Sequence, residues 1–376
     1  ILTFTSLMGG NAPLEIVRFF EGGKQKEQQQ LELFEKAKES GPDNGNWKNM
    51  VVQGDNLQFL KTCYLNQNPL IKDKVKGKVK LIYIDPPFAT KSDFTGSSGE
   101  ASYSDKVARA EFLEALRERL IFLREILADD GTIYVHLDLR MIHYVKIIMD
   151  EIFGKTNFRN EIVWCYTGPS RQKKDFPDKH ESILRYSKTG NYLFNKDELR
   201  VPYAKSNLAT GSTSAVGRAS DDKLKELDKR GKLVEDWWSD IATIGYKHNE
   251  ILKYPTQKPE ALIERIIRAS SDPTDLIIDV FAGSGTTAAV AEKLGRRWIV
   301  CDFGKHAVYV IQKRLLEIFS SDALNAKESY GKPAKPFCVV SVGAYDFSKI
   351  MNLRENKDIY IQFVCGLFNI NEIDKG

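Results

Sequence analysis

The spacing of apolar residues predicts alternating strands and helices from Met50 onward. Compact apolar runs are typical of strands buried inside an α/β domain, and they include MVVQ, KLIYI, TIYVHL, LIIDV and RWIVC. Between these runs, apolar residues recur at three- and four-residue spacing, which indicates amphipathic helices. The clearest helix is ARAEFLEALRERLIFLREILADD, and we expect it to end at Gly131. The predicted fold class is therefore α/β.

Breaks in this pattern divide the chain into segments. Residues 1–48 are polar and Gln-rich, which predicts an arm or linker, and residues 89–108 are rich in Gly, Ser and Thr, which predicts a long mobile loop. Residues 188–253 lose the alternation and contain a charged run. They are expected to form an inserted subdomain with Trp237 and Trp238 in its core.

The rest of the chain would then form one α/β domain in two halves. We expect these halves at residues 49–187 and 254–320, on either side of the insertion. Residues 321–376 contain PFCVVSV and IYIQFVCGLF, which have the composition of strands, but the sequence assigns this extension no role.

The bulk composition excludes few classes of function. The chain has 376 residues with 55 Lys or Arg against 51 Asp or Glu, and the net charge of +4 neither requires nor excludes a nucleic-acid partner. The 5 cysteines are scattered without a CxxC pair, which argues against a disulfide framework and a zinc site and favours a reducing cytoplasm. No apolar run is long enough to cross a bilayer, so no membrane span is expected.

The first candidate for chemistry is the tetrapeptide Asp85-Pro86-Pro87-Phe88, at the carboxyl end of an apolar strand. In open α/β sheets, ligands bind at this edge. The two prolines hold the backbone extended and leave the carbonyl of Pro86 free to accept a hydrogen bond beside the carboxylate of Asp85. Two adjacent acceptors match the two donors of an exocyclic NH2 group, and Phe88 offers a face on which a base can stack.

The second candidate is the run FAGSGTT, which follows an apolar strand and opens a helix. Gly283 and Gly285 would let the backbone approach a ligand, and Asp302 ends the next strand, where a carboxylate can hold ribose hydroxyls. The run also satisfies GxGxxA through Ala288, so these residues alone leave a nicotinamide dinucleotide and an adenosyl cofactor both open. A phosphate-binding P-loop is excluded, because no GK[ST] follows.

Together these motifs resemble those of the amino-methyltransferases of DNA. DPPF is similar to their catalytic motif and FAGSGTT to their cofactor loop, and the segments QGDNLQFL, LADDGTIYVHLD and PTQKPEALIERII extend the resemblance over residues 50–318. The catalytic motif comes first, as in the beta group, which includes the modification subunits of type III restriction–modification systems and related adenine methyltransferases. The resemblance implies a Rossmann-like, doubly wound mixed sheet, circularly permuted, with a target-recognition subdomain inserted at residues 188–253.

The resemblance also implies S-adenosylmethionine as the cofactor and assigns roles to matching residues. Asp55 would face the adenine amine of the cofactor, Lys258 would lie near its methionine end, and Asp302 would hold its ribose. The complete cofactor-binding set expected is Asp55, Asn56, Lys258, Asp279, Phe281, Gly283, Ser284, Gly285, Thr286 and Asp302. No metal is expected, because the sulfonium methyl group is already activated.

The reaction implied by the resemblance is methylation of N6 of an adenine flipped out of double-stranded DNA. In this family, an Asp at the first position of the tetrapeptide, here Asp85, usually accompanies adenine as the target. An N4-cytosine or RNA amino-methyltransferase and a non-catalytic DNA-recognition subunit remain alternatives. A C5-cytosine enzyme is not expected, because none of the cysteines follows a proline.

DNA is the expected partner, and basic residues near the catalytic half would hold its phosphates. These residues are Lys91, Arg171, Lys173, Lys174 and Lys179. Residues 188–253 are expected to recognise the target sequence, on the basis of their position in the chain. The sequence leaves open whether a second copy of the chain or a separate restriction or specificity subunit joins the protein.

Overall fold

The computed structural model describes residues 14–25, 47–87, 105–168, 173–202, 221–244, 250–252, 254–324 and 328–343. The strands within these ranges are β1 (Leu14–Glu21), β2 (Lys24–Gln25), β3 (Asn49–Gln53), β4 (Val79–Ile84), β5 (Leu127–Leu137), β6 (Phe158–Cys165), β7 (His180–Ser187), β8 (Arg200–Val201), β9 (Lys232–Leu233), β10 (Trp237–Trp238), β11 (Leu276–Asp279), β12 (Arg297–Asp302) and β13 (Phe337–Val342). The helices are α1 (Asn56–Leu65), α2 (Asp105–Ile126), α3 (Ile142–Phe153), α4 (Asp221–Arg230), α5 (Glu260–Ser270), α6 (Thr286–Lys293) and α7 (Lys305–Leu316). Three short 3-10 helices lie at Lys155–Asn157, Lys196–Leu199 and Ile318–Ser320.

Eleven of the described strands form one mixed sheet, in the order β10-β6-β7-β5-β4-β11-β12-β3-β13-β1-β2. The central strands β5, β4, β11, β12, β3 and β13 run parallel, and β7 and β1 flank them in the opposite direction. The strand before the DPPF tetrapeptide pairs directly with the strand before the glycine run, with Ile82 opposite Ile278. The carboxyl ends of both strands therefore meet at one edge of the sheet, where ligands bind in open α/β folds.

Helices cover both faces of this sheet. Side chains alternate along β3, so that Met50 and Val52 join one apolar core with α1, α2 and α3, and Val51 joins a second core with α5, α6 and α7. This three-layer arrangement confirms the predicted doubly wound α/β fold. None of the described helices is both long and apolar enough to cross a membrane.

The predicted end of the long helix at Gly131 is wrong. The helix ends at Ile126, and the chain enters β5 at Leu127 without an intervening loop, so Gly131 lies inside a strand. A Cβ atom at Gly131 would lie 2.8 Å from the carbonyl oxygen of Val79. The glycine therefore permits the close approach of β4 and β5, where the register between the strands shifts.

The prediction that residues 1–48 are only an arm or linker is also wrong. Leu14–Glu21 forms a strand that pairs antiparallel with β13, and β13 in turn pairs with β3 in the centre of the sheet. The predicted strand in PFCVVSV is thus confirmed, and residues 321–376 are not wholly an extension outside the α/β domain. A β-bulge after Ile16 interrupts the alternation of buried and exposed residues in LEIVRFFE. The sequence therefore lacks the regular pattern that would predict this strand.

The segment at 188–253 contributes an edge strand to the main sheet, because Trp237–Trp238 pairs parallel with β6. Trp238 is buried as predicted, but Trp237 is 56% exposed, which contradicts its placement in a core. The two residues point to opposite faces of an edge strand, and only one face is covered. Helix α2 already begins at Asp105, inside the segment predicted as a loop, and residues 89–104 lie outside the described residues.

Candidate active site

A cavity of about 480 Å³ opens at the carboxyl edge of the parallel strands. Loops that follow β3, β4 and β11 bring Asp55, Asp85 and Gly283 to its wall. The last residue of β12 adds Asp302, and the segment before α5 adds Lys258. The two sequence motifs therefore share one cavity. The predicted residues on its wall are Asp55, Asn56, Asp85, Pro87, Lys258, Asp279, Phe281, Gly283, Ser284, Thr286 and Asp302.

Two aspartates hold the glycine run in place at the ends of β11 and β12. Asp302 accepts a hydrogen bond from the Gly283 N–H at 2.8 Å, and its other oxygen accepts one from the Gly304 N–H at 2.8 Å. Asp279 accepts from the Phe281 N–H at 2.9 Å and from the Thr287 hydroxyl at 2.6 Å. Both carboxylates thus organise the loop as well as line the cavity, which explains why the run is flanked by acidic residues.

The two glycines of the run serve different purposes. Gly283 has φ +49°, and a Cβ atom there would lie 3.3 Å from the ring of Tyr254, which also lines the cavity. Gly285 has φ +75° and lies behind the cavity wall, where a Cβ atom would lie 2.8 Å from Ile311 of α7. Gly285, which was predicted on the cofactor floor, is not in the lining of the cavity, and it permits the close packing of α7.

The loop that carries Lys258 is fastened to the glycine run. The hydroxyl of Thr286 donates to the backbone carbonyl of Lys258 at 3.1 Å. The buried guanidinium of Arg314 donates to the same hydroxyl at 3.0 Å and to the carbonyl of Ser284 at 3.2 Å, and it pairs with Glu260 at 2.8 Å. These contacts fix the position of Lys258 relative to the cavity.

A chain of polar contacts leads from Asp85 into the interior. Nζ of Lys258 lies 2.8 Å from Oδ2 of Asp85 and 3.4 Å from Oε2 of Glu181. The same oxygen of Glu181 lies 2.7 Å from Nε2 of His136, which is the distance of an ion pair but lacks the angle of a hydrogen bond. On its other side, His136 shares a hydrogen bond of 2.8 Å between Nδ1 and the hydroxyl of Tyr83.

These neighbours determine the charges in the chain of contacts. Burial alone would lower the pKa of Lys258, but the carboxylates of Asp85 and Glu181 outweigh it and raise that pKa. Burial alone would raise the pKa of Glu181, but the contact with His136 and the charge of Lys258 lower it to about 2. Burial and nearby carboxylates, Asp85 foremost, raise the pKa of Tyr83, so its phenol stays protonated at neutral pH.

A second set of polar contacts joins Asp55, Asn56 and Arg119 on the cavity wall. Asp55 caps α1 by accepting from the Leu57 N–H at 2.7 Å, and Arg119 of α2 lies 3.7 Å from the same carboxylate. Arg119 also donates to the side chain of Asn56 at 2.6 Å, and Asn56 donates to the carbonyl of Val280 at 2.8 Å. Asn56 thereby connects the start of α1 with the loop after β11.

The predicted residues outside the cavity wall fall into two groups. Pro86 is buried beside the wall, Lys173 and Lys174 are exposed, and Lys179 is half-buried. Phe88, Lys91 and Arg171 lie outside the described residues. The roles of the whole predicted set in catalysis, cofactor binding and DNA binding stay predictions.

Several residues of the site were not predicted from the sequence. Arg119 and Tyr254 lie on the cavity wall, and Glu181, His136 and Arg314 support it. Each is an isolated polar or aromatic residue within a strand, helix or loop, and no short motif marks it. Within the described ranges, no group of three or more His, Cys, Asp or Glu side chains is arranged to hold a metal ion.

Comparison with known proteins identifies relatives of the chain. A family model described as DNA methylase, covering N6 and N4 enzymes, matches residues 79–313. The chain is 32% identical over 64% of its length to the type II methyltransferase M.EcaI of Enterobacter cloacae, and it spans 65% of that protein, slightly less than two thirds. It is 30% identical to the DNA adenine methyltransferase YhdJ of Escherichia coli, over 72% of this chain and 84% of that protein.

Two further proteins are similar to the chain, one in sequence and one in fold. The chain is 27% identical to a probable type III restriction–modification Mod subunit, HindVI of Haemophilus influenzae, over 67% of this chain and 48% of that protein. The solved structure of the PvuII DNA methyltransferase, described as cytosine-N4-specific, has a TM-score of 0.51 at 17% identity and covers 76% of this chain and 93% of that one. This likeness shows a shared fold. Because the family model spans more than half of the chain and includes both motifs on the cavity wall, the chain belongs to the N6/N4 DNA methylases.

Proposed function

We propose that this DNA methylase transfers the methyl group of S-adenosylmethionine to N6 of an adenine that has been flipped out of double-stranded DNA. The observation that carries the proposal is the common cavity of Asp85 and the Gly283 loop. An amine held by Asp85 can meet a methyl donor held by the Gly283 loop, because both groups face the same cavity. Positioning of two reactants in this way is the main catalytic contribution expected for a direct transfer.

The residues of the cavity fit S-adenosylmethionine. A volume of about 480 Å³ lies in the range of small-molecule sites, roughly 300–1,000 Å³. The carboxylates of Asp55 and Asp302 can accept from an adenine amine and ribose hydroxyls, and Arg119 holds Asn56 beside Asp55 on the same wall. When bound, S-adenosylmethionine supplies an electrophilic methyl group on its sulfonium.

Asp85 is suited to hold the target amine. Lys258 engages Oδ2 of its carboxylate, and Oδ1 has no hydrogen-bond partner among the described residues, so Oδ1 can accept from an N6 hydrogen. The Pro86 carbonyl would take the second hydrogen, which turns the nitrogen lone pair out of the base plane. As the nitrogen gains a bond to the methyl carbon, the carbon–sulfur bond would break with its electron pair left on sulfur. The nitrogen becomes cationic, the negative charge of Asp85 stabilises it, and the proton would then pass to water.

Adenine is the proposed target rather than cytosine. The proposal draws on Asp85 at the first position of the tetrapeptide and on the relative from Escherichia coli that is named an adenine methyltransferase. An N4-cytosine product would contradict it.

DNA would be held by Lys173 and Lys174 among others, and residues 188–253 would recognise the target sequence. The participation of a second copy of the chain, or of a separate restriction or specificity subunit, stays a prediction.

The test is methylation of genomic DNA with labelled S-adenosylmethionine, followed by mass spectrometry of the nucleosides. We expect N6-methyladenine with the parent protein and none with Asp85→Ala, whereas binding of S-adenosylmethionine to this variant stays within a few-fold of the parent. Asp129→Ala is the matched control, because its carboxylate is 90% exposed at the other edge of the sheet. Equal activity of Asp85→Ala would reject the proposal.

A further inference from the structure

Lys258 is shared between two carboxylates on different strands. Its ammonium lies 2.8 Å from Asp85, which follows β4, and 3.4 Å from Glu181, which lies in β7. Only 11% of the lysine side chain is exposed, so these carboxylates supply most of the compensation for its buried charge. The distances place the ammonium between the two carboxylates, bound more closely to Asp85.

Two buried residues, His136 and Tyr83, support Glu181 on the side away from Lys258. His136 lies 2.7 Å from the glutamate and is fully buried, and Tyr83 bonds the far nitrogen of His136 at 2.8 Å. Tyr83 and Asp85 belong to the same end of β4, two residues apart, so the chain of contacts returns to the strand where it began. Tyr83 lines the cavity, but His136 and Glu181 do not, so Glu181 is supported from within the fold.

The orientation of the Asp85 carboxylate is not fixed by its own covalent geometry. Rotation about the last side-chain bond of an aspartate is broad and roughly two-fold. Lys258 can fix that orientation, but a lysine has a flexible four-carbon stem and loses its position unless a second group holds the ammonium. Glu181 is the group in the described structure that meets this need.

We propose that Glu181 is a positioning residue, which anchors the ammonium of Lys258 so that Lys258 holds the Asp85 carboxylate in the orientation that receives the target amine. This inference rests on the proposed function. Glu181 touches neither the target base nor the cofactor, and its effect on the reaction passes through Lys258 alone. A contribution of Glu181 to folding only would instead be independent of Lys258.

A double-mutant cycle separates these two roles. We expect Glu181→Gln to lower kcat roughly 10- to 100-fold while KM for S-adenosylmethionine stays within about twofold, because misplacement rather than cofactor binding limits the reaction. Lys258→Met should lower kcat at least as much. The double variant should be no worse than Lys258→Met, since Glu181 has nothing left to act through. Multiplication of the two single losses would overturn the inference.

Controls keep the cycle interpretable. Glu161→Gln removes a carboxylate on the neighbouring strand β6 that is exposed and bonded to Ser182, and its kcat should equal that of the parent. Sites are counted by titration with S-adenosylmethionine, so kcat refers to folded protein in every variant. If Glu181→Gln does not fold, Glu181→Asp enters the same cycle, because it keeps the charge and withdraws it from Lys258.

Product formation by the parent protein separates a failure of the proposed function from a failure of the positioning role of Glu181. If the parent makes no N6-methyladenine, the proposed function fails, and the positioning role of Glu181 fails with it. If the parent is active and the single losses multiply, the proposed function stands, and Glu181 has only a structural role. If the parent is active and the double variant matches Lys258→Met, Glu181 acts through Lys258.

Discussion

Arg119 donates a hydrogen bond from Nε to Oδ1 of Asn56 at 2.6 Å, and this contact joins two walls of the cavity. Asn56 uses its amide to bond the carbonyl of Val280, so the arginine of α2 fixes a side chain that spans from α1 to the loop after β11. The guanidinium also brings a positive charge within 3.7 Å of Asp55. Arg119 thus orients both residues that begin α1.

Replacement of Arg119 by Leu should weaken the binding of S-adenosylmethionine roughly 10- to 100-fold, because a charge-assisted hydrogen bond contributes about 1.5–3 kcal/mol. The value of kcat at saturating cofactor should change less, since Arg119 does not contact Asp85. Isothermal titration and steady-state kinetics measure the two effects. Arg117→Leu is the control, because Arg117 lies on the same helix as Arg119, pairs with Glu151 of α3 and does not line the cavity. Equal losses in both variants would contradict this role.

Gly285→Ala should destabilise the fold by about 2–5 kcal/mol. The left-handed backbone at φ +75° costs an alanine about 1–2 kcal/mol, and the Cβ atom 2.8 Å from Ile311 adds about 1–3 kcal/mol of overpacking. Gly295→Ala isolates the first effect, because Gly295 has φ +74° and open space around it. Urea denaturation of both variants measures the difference. The same loss in both would show that packing against α7 does not require Gly285.

The centre of the fold is predictable because its strands are buried on both faces. The runs at β3, β4, β11 and β12 are almost continuously apolar, and a motif marks the end of two of them, at Asp85 and Gly283. That the two motifs share an edge depends on the order of strands in the sheet, which no local pattern records. The family resemblance implied only that the two motifs serve one site.

The supporting residues are not predictable, for a related reason. Glu181 and Arg119 are single charged residues within amphipathic elements, where a solvated side chain is the ordinary interpretation. Glu181 reaches Lys258 only because β7 returns antiparallel beside β5, and Arg119 reaches Asn56 only because α2 packs on α1. Both depend on contacts between residues distant in sequence.

Lys173 and Lys174 should bind DNA phosphates. Replacement of both by Ala should weaken DNA binding and flatten the dependence of log affinity on log salt by about 1.8, since each phosphate contact contributes about 0.9. Fluorescence anisotropy over a range of salt concentrations measures this slope. The control replaces Lys72 and Lys78, which are exposed before β4 and so lie at the edge of the sheet opposite the cavity. The proposal fails if the control pair flattens the slope equally.

Asp279 is a buried carboxyl whose two oxygens both accept hydrogen bonds, from the Phe281 N–H and the Thr287 hydroxyl. Burial raises its pKa to about 7, the carboxylates of Asp85 and Asp302 add to the rise, and the two hydrogen bonds oppose it. An aspartate in an unfolded chain has a pKa of about 3.9. Between these two pH values, the folded chain therefore holds a proton that the unfolded chain has released.

This difference makes the contribution of Asp279 to stability fall as pH rises from about 4 to about 7, because the folded state binds more protons in that range. Asp279→Asn does not titrate, and its amide can keep the contact with the Phe281 N–H. As pH rises from 5 to 8, a range that includes the raised pKa of about 7, the variant should therefore become more stable relative to the parent. Melting temperatures across this range measure the gain, and Asp129→Asn should track the parent. Parallel curves for Asp279→Asn and the parent would show that the carboxyl is ionised throughout.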